Sequence, residues 1–443
     1  MKKKVVLLIL AWVLLSLLFH ISFNLQATRS TNVIWVPDDY PTIQGAINHA
    51  NLGDTIKVRA ETYYENVIVN KTVRLIGEGL PTIDGCLRSG MWGYPTVRVI
   101  AENVTICGFI IQHSLAVMNE MDFGIEADYG VNITGNIIRS NMDGIRVRRD
   151  AIVSNNTIEC NGDGISCSGT GNILIRNTIS FNGDGVIIWE PLNSLINNSI
   201  IGNYRYGIFL KHGDITLKNN NLTGNNYNLL VHGAGLSGFI NDIDTSNIIN
   251  EKPIYYWISQ FNKTIPPDAG YVALINSTNI TVKDLNLEKN GQGILIAYSN
   301  NITIRNSNIS SNDMVINLYV SSNITFYHNN FINYTWIGDP YAPAMPPNTW
   351  DDSYPSGGNY WSGYAGADFY SVPYQNETGS DGIGDTPYVI DKNNQDNYPL
   401  IAPIKSFSVP WEEKTYYVDM ISNSTISDFY FSQQNKLVGL NVT

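Results

Sequence analysis

The sequence predicts an all-β solenoid of stacked coils, each 20 to 22 residues long, and three observations carry the prediction. The first is a repeat. A unit of Ile-x-x-Asn, a short gap, Gly-Ile/Val and alternating apolar residues places Asn141, Asn161, Asn182, Asn203, Asn225, Asn290 and Asn312 at spacings of 20, 21, 21, 22, 65 and 22. A fixed period of this size marks coils that bury their apolar faces only against their neighbours. The second is alternation with period two and no helical pattern, as in Ile145/Val147, Ile165/Cys167, Val186/Ile188 and Ile208/Leu210. The third is composition. Only 15% of residues are charged, and Asn, Ser, Thr and Tyr supply the polar surface. These are residues of turns and strands.

Taken in chain order, Lys2, Lys3 and Lys4 followed by the apolar run Val5–Leu18 read as an export signal over residues 1–27, cleaved near Ala27. The rival is an uncleaved anchor, the one route by which the chain would meet a membrane. Either places the remainder outside the cytoplasm, secreted or at the cell surface. Sequons such as Asn70, Asn132, Asn221, Asn301, Asn323 and Asn376 suit an exported glycoprotein. Without the first 27 residues, 39 acidic residues face 24 basic ones. That balance argues against a nucleic-acid partner, which requires a basic face.

The coils are expected over 33–336, with a cap at about 33–60. Gly124, Gly144, Gly164, Gly185, Gly207 and Gly293 precede the inward strands, with Asn228 at the equivalent place in another coil. This substitution suggests a left-handed turn position with φ above zero. The gap of 65 spans three periods, so one or two coils there should be irregular. A second column, Asn136, Asn156, Asn177 and Asn198, suggests a structural ladder at a corner. Residues 337–405 form an irregular segment rich in Gly, Tyr and Asp. In 406–443 the repeat stops, and three short β segments resemble an incomplete β-sandwich.

The stretch Val36-Pro37-Asp38-Asp39-Tyr40-Pro41-Thr42-Ile43-Gln44, then Ala46-Ile47, Gly53-Asp54-Thr55-Ile56, Tyr64-Glu65-Asn66-Val67 and Leu75-Ile76-Gly77, resembles the N-terminal cap of pectate-lyase-like proteins. Together with the segments 241–257 and 357–399, it makes residues 33–405 similar to the NosD-type β-helix family of surface proteins. The resemblance implies a right-handed parallel β-helix. It is specific for fold and weak for activity. The motif sets of pectin methylesterases, of the Gly-His-Gly hydrolases and of the Asp-Pro-His-Asp epimerases are missing. The family name implies copper, which needs clustered Met, Cys or His. Only His212 and His232 are placed to lie close, and Met118 with Met121 stands alone.

Aligning the coils puts Glu126, Arg146, Ser166, Ile187, Phe209 and Leu230 in one outward column. Asp128, Arg148, Ser168, Trp189, Lys211 and His232 form another. Arg146, Arg148, Trp189, Lys211 and His232 then make a basic and aromatic strip on an acidic protein, suited to polysaccharide or cell-envelope glycan. The plainer reading is ion pairing of Glu126 with Arg146 and of Asp128 with Arg148 across coils. Asp381 and Asp385, in an Asp-Gly segment, are candidate calcium ligands, though such a segment is commonly only a turn. Two disulfides are candidates: Cys160–Cys167 within one coil, and Cys86–Cys107, one period apart. The functional expectation is an exported, non-catalytic surface protein that binds polysaccharide. The alternatives are a polysaccharide lyase, hydrolase or epimerase, and a copper accessory protein.

Overall fold

The structure is a computed structural model describing residues 31–85, 95–114, 122–338 and 345–405. The expected export signal and the 406–443 tail lie outside the described residues. Past the first strand, Val33–Val36, the short helix Ile43–His49 buries Ile43, Ala46 and Ile47 against the end of the solenoid. The Thr42 side chain accepts from Gly45 N, and the Glu65 carboxylate accepts from Ile43 N and Gln44 N at 2.9 and 3.0 Å. These bonds satisfy amides that the first helical turn leaves unpaired.

Each regular coil contributes one strand, parallel to those of the neighbouring coils, to each of three sheets of ten, thirteen and eight strands. In one coil these strands are Ile152–Ser154, Thr157–Glu159 and Asp163–Cys167. Like residues stack in register, with Ile145 on Ile165, Val186, Ile208 and Leu229, all 0% exposed. At the corner before the second strand, Asn155, Arg176, Asn197 and Asn219 take φ near 55°. Each is followed by a buried ladder asparagine: Asn156, Asn177, Asn198 and Asn220. Asn177 Oδ1 accepts from the backbone N and the Nδ2 of Asn156 at 3.1 and 3.0 Å, and its own Nδ2 donates to Val153 O at 2.8 Å. The expected corner ladder is therefore formed, and Asn141, Asn161, Asn182, Asn203 and Asn225 make a second one.

The recurrent glycines have a different cause from the one that Asn228 in their place suggested. None of Gly124, Gly144, Gly164, Gly185, Gly207 or Gly293 has positive φ. A Cβ on Gly144, Gly164 or Gly185 would instead stand 2.5 Å from the carbonyl oxygen of the glycine one coil on. Glycine is there because the coils touch backbone to backbone. Asn228 replaces it where the stack is interrupted. There Asn225 Nδ2 donates to Asn228 Oδ1, which takes the place of a next-coil asparagine, and Asn228 N donates to Lys289 O.

The gap of three periods is a sideways shift of the solenoid. After the strand Tyr227–Val231 the eight-stranded sheet ends. The strand Ile248–Ile249 turns back antiparallel onto Lys252–Ile258, which extends the thirteen-stranded sheet through Tyr271–Ile275, Gln292–Ala297 and Met314–Tyr319. Tyr271, Ala273, Ile275, Leu295 and Ala297 face the first core, whereas Val272, Leu274, Ile294 and Ile296 face a second. Coil pairing continues past 336 to Tyr360–Trp361, which lies on Asn330 and Phe331. Fully buried Trp350 and Trp361 sit against Phe326 and Phe331 in the second core.

The Cys160–Cys167 bridge is not formed. Cys167 points into the core and is fully buried, whereas Cys160 occupies a corner with φ of 55° and is exposed, so both are free thiols. Cys86 lies outside the described residues, and so does the Cys86–Cys107 pairing.

Candidate binding strip on the eight-stranded sheet

Alternation along each strand of the eight-stranded sheet sends every second side chain outward, and parallel register stacks these into columns. One column runs Ile68, Arg98, Glu126, Arg146, Ser166, Ile187, Phe209, Leu230. Two residues along each strand, Asp128, Arg148, Ser168, Trp189, Lys211 and His232 form the second. The five expected strip residues thus share one face, but their surroundings divide them.

At the cap end the charges satisfy one another. Arg98 lies 3.1 Å from Glu126 and 2.8 Å from Asp128, and Arg148 lies 3.3 Å and 3.1 Å from the same two carboxylates. Arg146 lies 3.9 Å from Glu126, donates to Ser168 Oγ at 3.2 Å, and stands over the Phe123 ring. These are the cross-coil pairs of the plainer reading, and they leave Arg148 committed to its neighbours. Beyond Arg98 the column ends at Ile68, in a cleft of about 550 Å³ lined also by Thr42, Gln44, Tyr64 and Glu65.

Two coils past Arg148 the character changes. Trp189 is 43% exposed, and its Nε1 donates to Ser166 Oγ at 3.2 Å. Lys211 Nζ lies 3.4 Å from the Trp189 ring centroid and 4.6 Å from that of Phe209. No carboxylate lies within 4.0 Å of Lys211 among the described residues. Burial holds its ammonium below the usual lysine range, with Arg205 adding to the effect. The strip closes at Leu230, against which Gly291 packs.

A corner beside the strip had gone unread in the sequence. Asp143, Asp163 and Asp184 each precede a coil glycine, and they form a carboxylate column. Asp163 N donates to Asp143, Asp184 N to Asp163, and Tyr206 N to Asp184. Arg205 pairs with the fully buried Asp184, and Tyr206 Oη donates to Asp313 of the second half. Burial, followed by the charges of Asp143 and Asp184, pushes the Asp163 carboxyl up to about 6. The signal was available as Asp-Gly recurring at the coil period.

Asp381 and Asp385 take part in hydrogen bonds within their own segment. Asp385 accepts from Phe369 N and Tyr370 N, and Asp381 accepts from Ile383 N and Gln375 Nε2. The carboxylates serve the turns that the Asp-Gly pattern encodes. Among the described residues no group of three or more His, Cys, Asp or Glu side chains could hold a metal ion. This donor set fits copper no better, and Met118 and Met121 lie outside the described residues.

Residues 93–255 match the family described as periplasmic copper-binding protein (NosD), and residues 184–336 match the right-handed β-helix region. Among solved structures, the chain is similar to the A-module of the mannuronan C-5 epimerase AlgE4 of Azotobacter vinelandii, at 15% identity over 73% of this chain and 90% of that one, with a TM-score of 0.37. An alginate lyase from Paenibacillus gives 12% identity over 74% and 97%, with a TM-score of 0.24. The tailspike protein of E. coli bacteriophage HK620 gives 10% over 72% and 61%, with a TM-score of 0.27. These scores are too low to carry an inference. No curated protein matches the chain. With the two family matches lying on a solenoid of parallel coils, the chain is a right-handed parallel β-helix protein whose residues 93–255 are similar to the NosD family.

Proposed function

We propose that the chain is an exported, non-catalytic β-helix protein that binds polysaccharide along the eight-stranded sheet, with Trp189, Phe209 and Lys211 as the centre of contact. One observation carries the reading. In a strip where Arg98, Arg146 and Arg148 lie against carboxylates, Lys211 has none among the described residues, and it sits beside an exposed indole. An exposed aromatic ring next to a cation with no carboxylate at ion-pair distance among the described residues suits a sugar face and an attached anionic group. Arg148, one of the five strip residues expected from the repeat, is engaged by Glu126 and Asp128.

Export is part of the proposal. The matched family is described as periplasmic, and no described helix is long and apolar enough to cross a membrane. The test is glycan-array binding by the exported chain and its Trp189→Ala variant. Trp189→Ala should weaken binding at least tenfold while leaving the melting midpoint unchanged; equal affinity would remove the site.

The alternative is a polysaccharide-processing enzyme, favoured by Asp163, a carboxyl raised to about 6 beside the strip. A general acid has that property. Reducing-end and unsaturated-uronate assays on a polysaccharide panel separate the two readings. Turnover abolished by Asp163→Asn would favour the enzyme; absence of turnover with retained binding would favour the binding protein.

A further inference from the structure

We propose that Lys211 determines the charge class of the ligand, because its ammonium covers the aromatic platform of Trp189 and Phe209 and yields that platform to an acidic sugar in preference to a neutral one. The proposal rests on the binding reading above. It adds the ligand class and the residue that selects it.

The geometry supplies the argument. A sugar stacks on an indole through its flat face, and at 3.4 Å from the centroid the Lys211 ammonium already stands over that face. At 4.6 Å from the Phe209 ring it spans both aromatics. The indole is tethered by the hydrogen bond its Nε1 donates to Ser166 Oγ, and the backbone of Lys211 is held by the hydrogen bond its N–H donates to Ile188 O. Access to the face therefore depends mainly on the flexible lysine side chain.

Moving that side chain has different consequences for different ligands. A carboxylate on the sugar gives the ammonium a stronger partner than the ring, so the lysine leaves the platform and closes on the ligand in one motion. A neutral sugar offers hydroxyls, which replace the cation–ring contact without a counter-charge. The carboxylates of Asp184 and Asp163 attract the ammonium only from beyond ion-pair distance. Arg205 is paired with Asp184 and opposes the lysine charge, and Arg146 and Arg148 are engaged with Glu126. Lys211 is thus the cation of the strip best placed to accept an incoming carboxylate.

The experiment compares wild type, Lys211→Met, Lys211→Arg and Trp189→Ala. The probes are galacturonan, glucuronan and alginate oligosaccharides, each as the free acid and as its carboxyl-reduced neutral form. Binding is measured by calorimetry at one ionic strength, with near-ultraviolet dichroism as a check on folding. Wild type should bind at least one acidic form tenfold or more tightly than its neutral counterpart. Lys211→Met should bring that ratio close to one, through weaker acid binding and equal or stronger neutral binding on the uncovered indole. Lys211→Arg should retain the preference, and Trp189→Ala should lose both forms. A wild type that prefers the neutral form, or a Lys211→Met variant that keeps the acid-to-neutral ratio, overturns the selector role while the binding reading stands. A folded wild type that binds none of the six probes overturns both.

Discussion

At the residue scale, the two kinds of asparagine in this chain invite a direct comparison. Asn177 is buried and serves the Asn156 backbone amide, the Asn156 side chain and Val153 O. Asn301 is exposed, and its side chain bonds its column neighbours Asn279 and Asn323, at 3.2 and 3.4 Å. Removing a buried partner leaves desolvated donors and acceptors unpaired, at about 1–3 kcal/mol each. Asn177→Ala should therefore cost about 2–4 kcal/mol in denaturant unfolding, and Asn301→Ala less than about 0.5 kcal/mol. Equal costs would refute a structural role for the buried ladder. Asp163 gives a second test at this scale. Its folded-state value of about 6 lies above the ordinary carboxyl value of 3.8, so the folded chain holds the proton more tightly than the unfolded chain. The resulting stabilisation is complete below that ordinary value and is lost as the pH rises to about 6. The shift corresponds to roughly 3 kcal/mol, reduced to about 1–2 kcal/mol by the solvent exposure of the group. Melting midpoints of wild type relative to Asp163→Asn should fall between pH 4 and pH 6.5; parallel profiles would show that the carboxyl titrates normally.

At the element scale, the coil period placed most inward residues correctly but misassigned the glycines. Spacing alone cannot distinguish a residue that needs positive φ from one that needs an absent side chain. The two requirements fall on different glycines. Gly164 has an ordinary backbone, and a Cβ there would meet Gly185 O at 2.5 Å. Gly224 has φ of 67°, with nothing nearer than 4.0 Å to a Cβ. Gly164→Ala should cost about 3 kcal/mol, since backbone in the next coil cannot move aside cheaply. Gly224→Asn should be nearly neutral, since asparagine tolerates the left-handed region. Urea midpoints for the pair check this, and the reverse order would restore the turn explanation. The sideways shift between Val231 and Gln292 was hidden for a related reason. Its antiparallel turn at Ile248–Lys252 interrupts the repeat, and the repeat that resumes at Asn290 and Asn312 does not disclose that Tyr271–Ile275 and Gln292–Ala297 are buried on both faces. The strip was legible as a shared face because register follows from the period. Which of its charges remain available was not, since that depends on side chains reaching across coils, as Arg148 does to Glu126.

At the scale of the whole molecule, an acidic ligand must approach an acidic protein. The formal net charge is −12, so long-range repulsion opposes the encounter even though Lys211 favours the contact. Salt acts on these two effects unequally. The screening length shrinks from about 30 Å at 0.01 M to about 8 Å at 0.15 M, which removes most of the repulsion felt across the rod. The carboxylate–ammonium contact forms at a few ångströms against aromatic rings and is screened much less. The association rate of an acidic oligosaccharide should therefore rise several-fold, by about 3 to 10 times, over this range and then level off. Dissociation should change less, because it is governed by the local contact. A basic protein taking up the same ligand would show the opposite trend, since salt would weaken its long-range attraction. Stopped-flow measurements using the Trp189 signal, with Lys211→Met for comparison, would show both components. In that variant the repulsion persists without the local partner, so its association should also rise with salt while its dissociation is faster at every concentration. A monotonic fall in the wild-type association rate would mean that the ligand senses a locally positive field, and would move the point of encounter towards the arginines at the cap end of the strip.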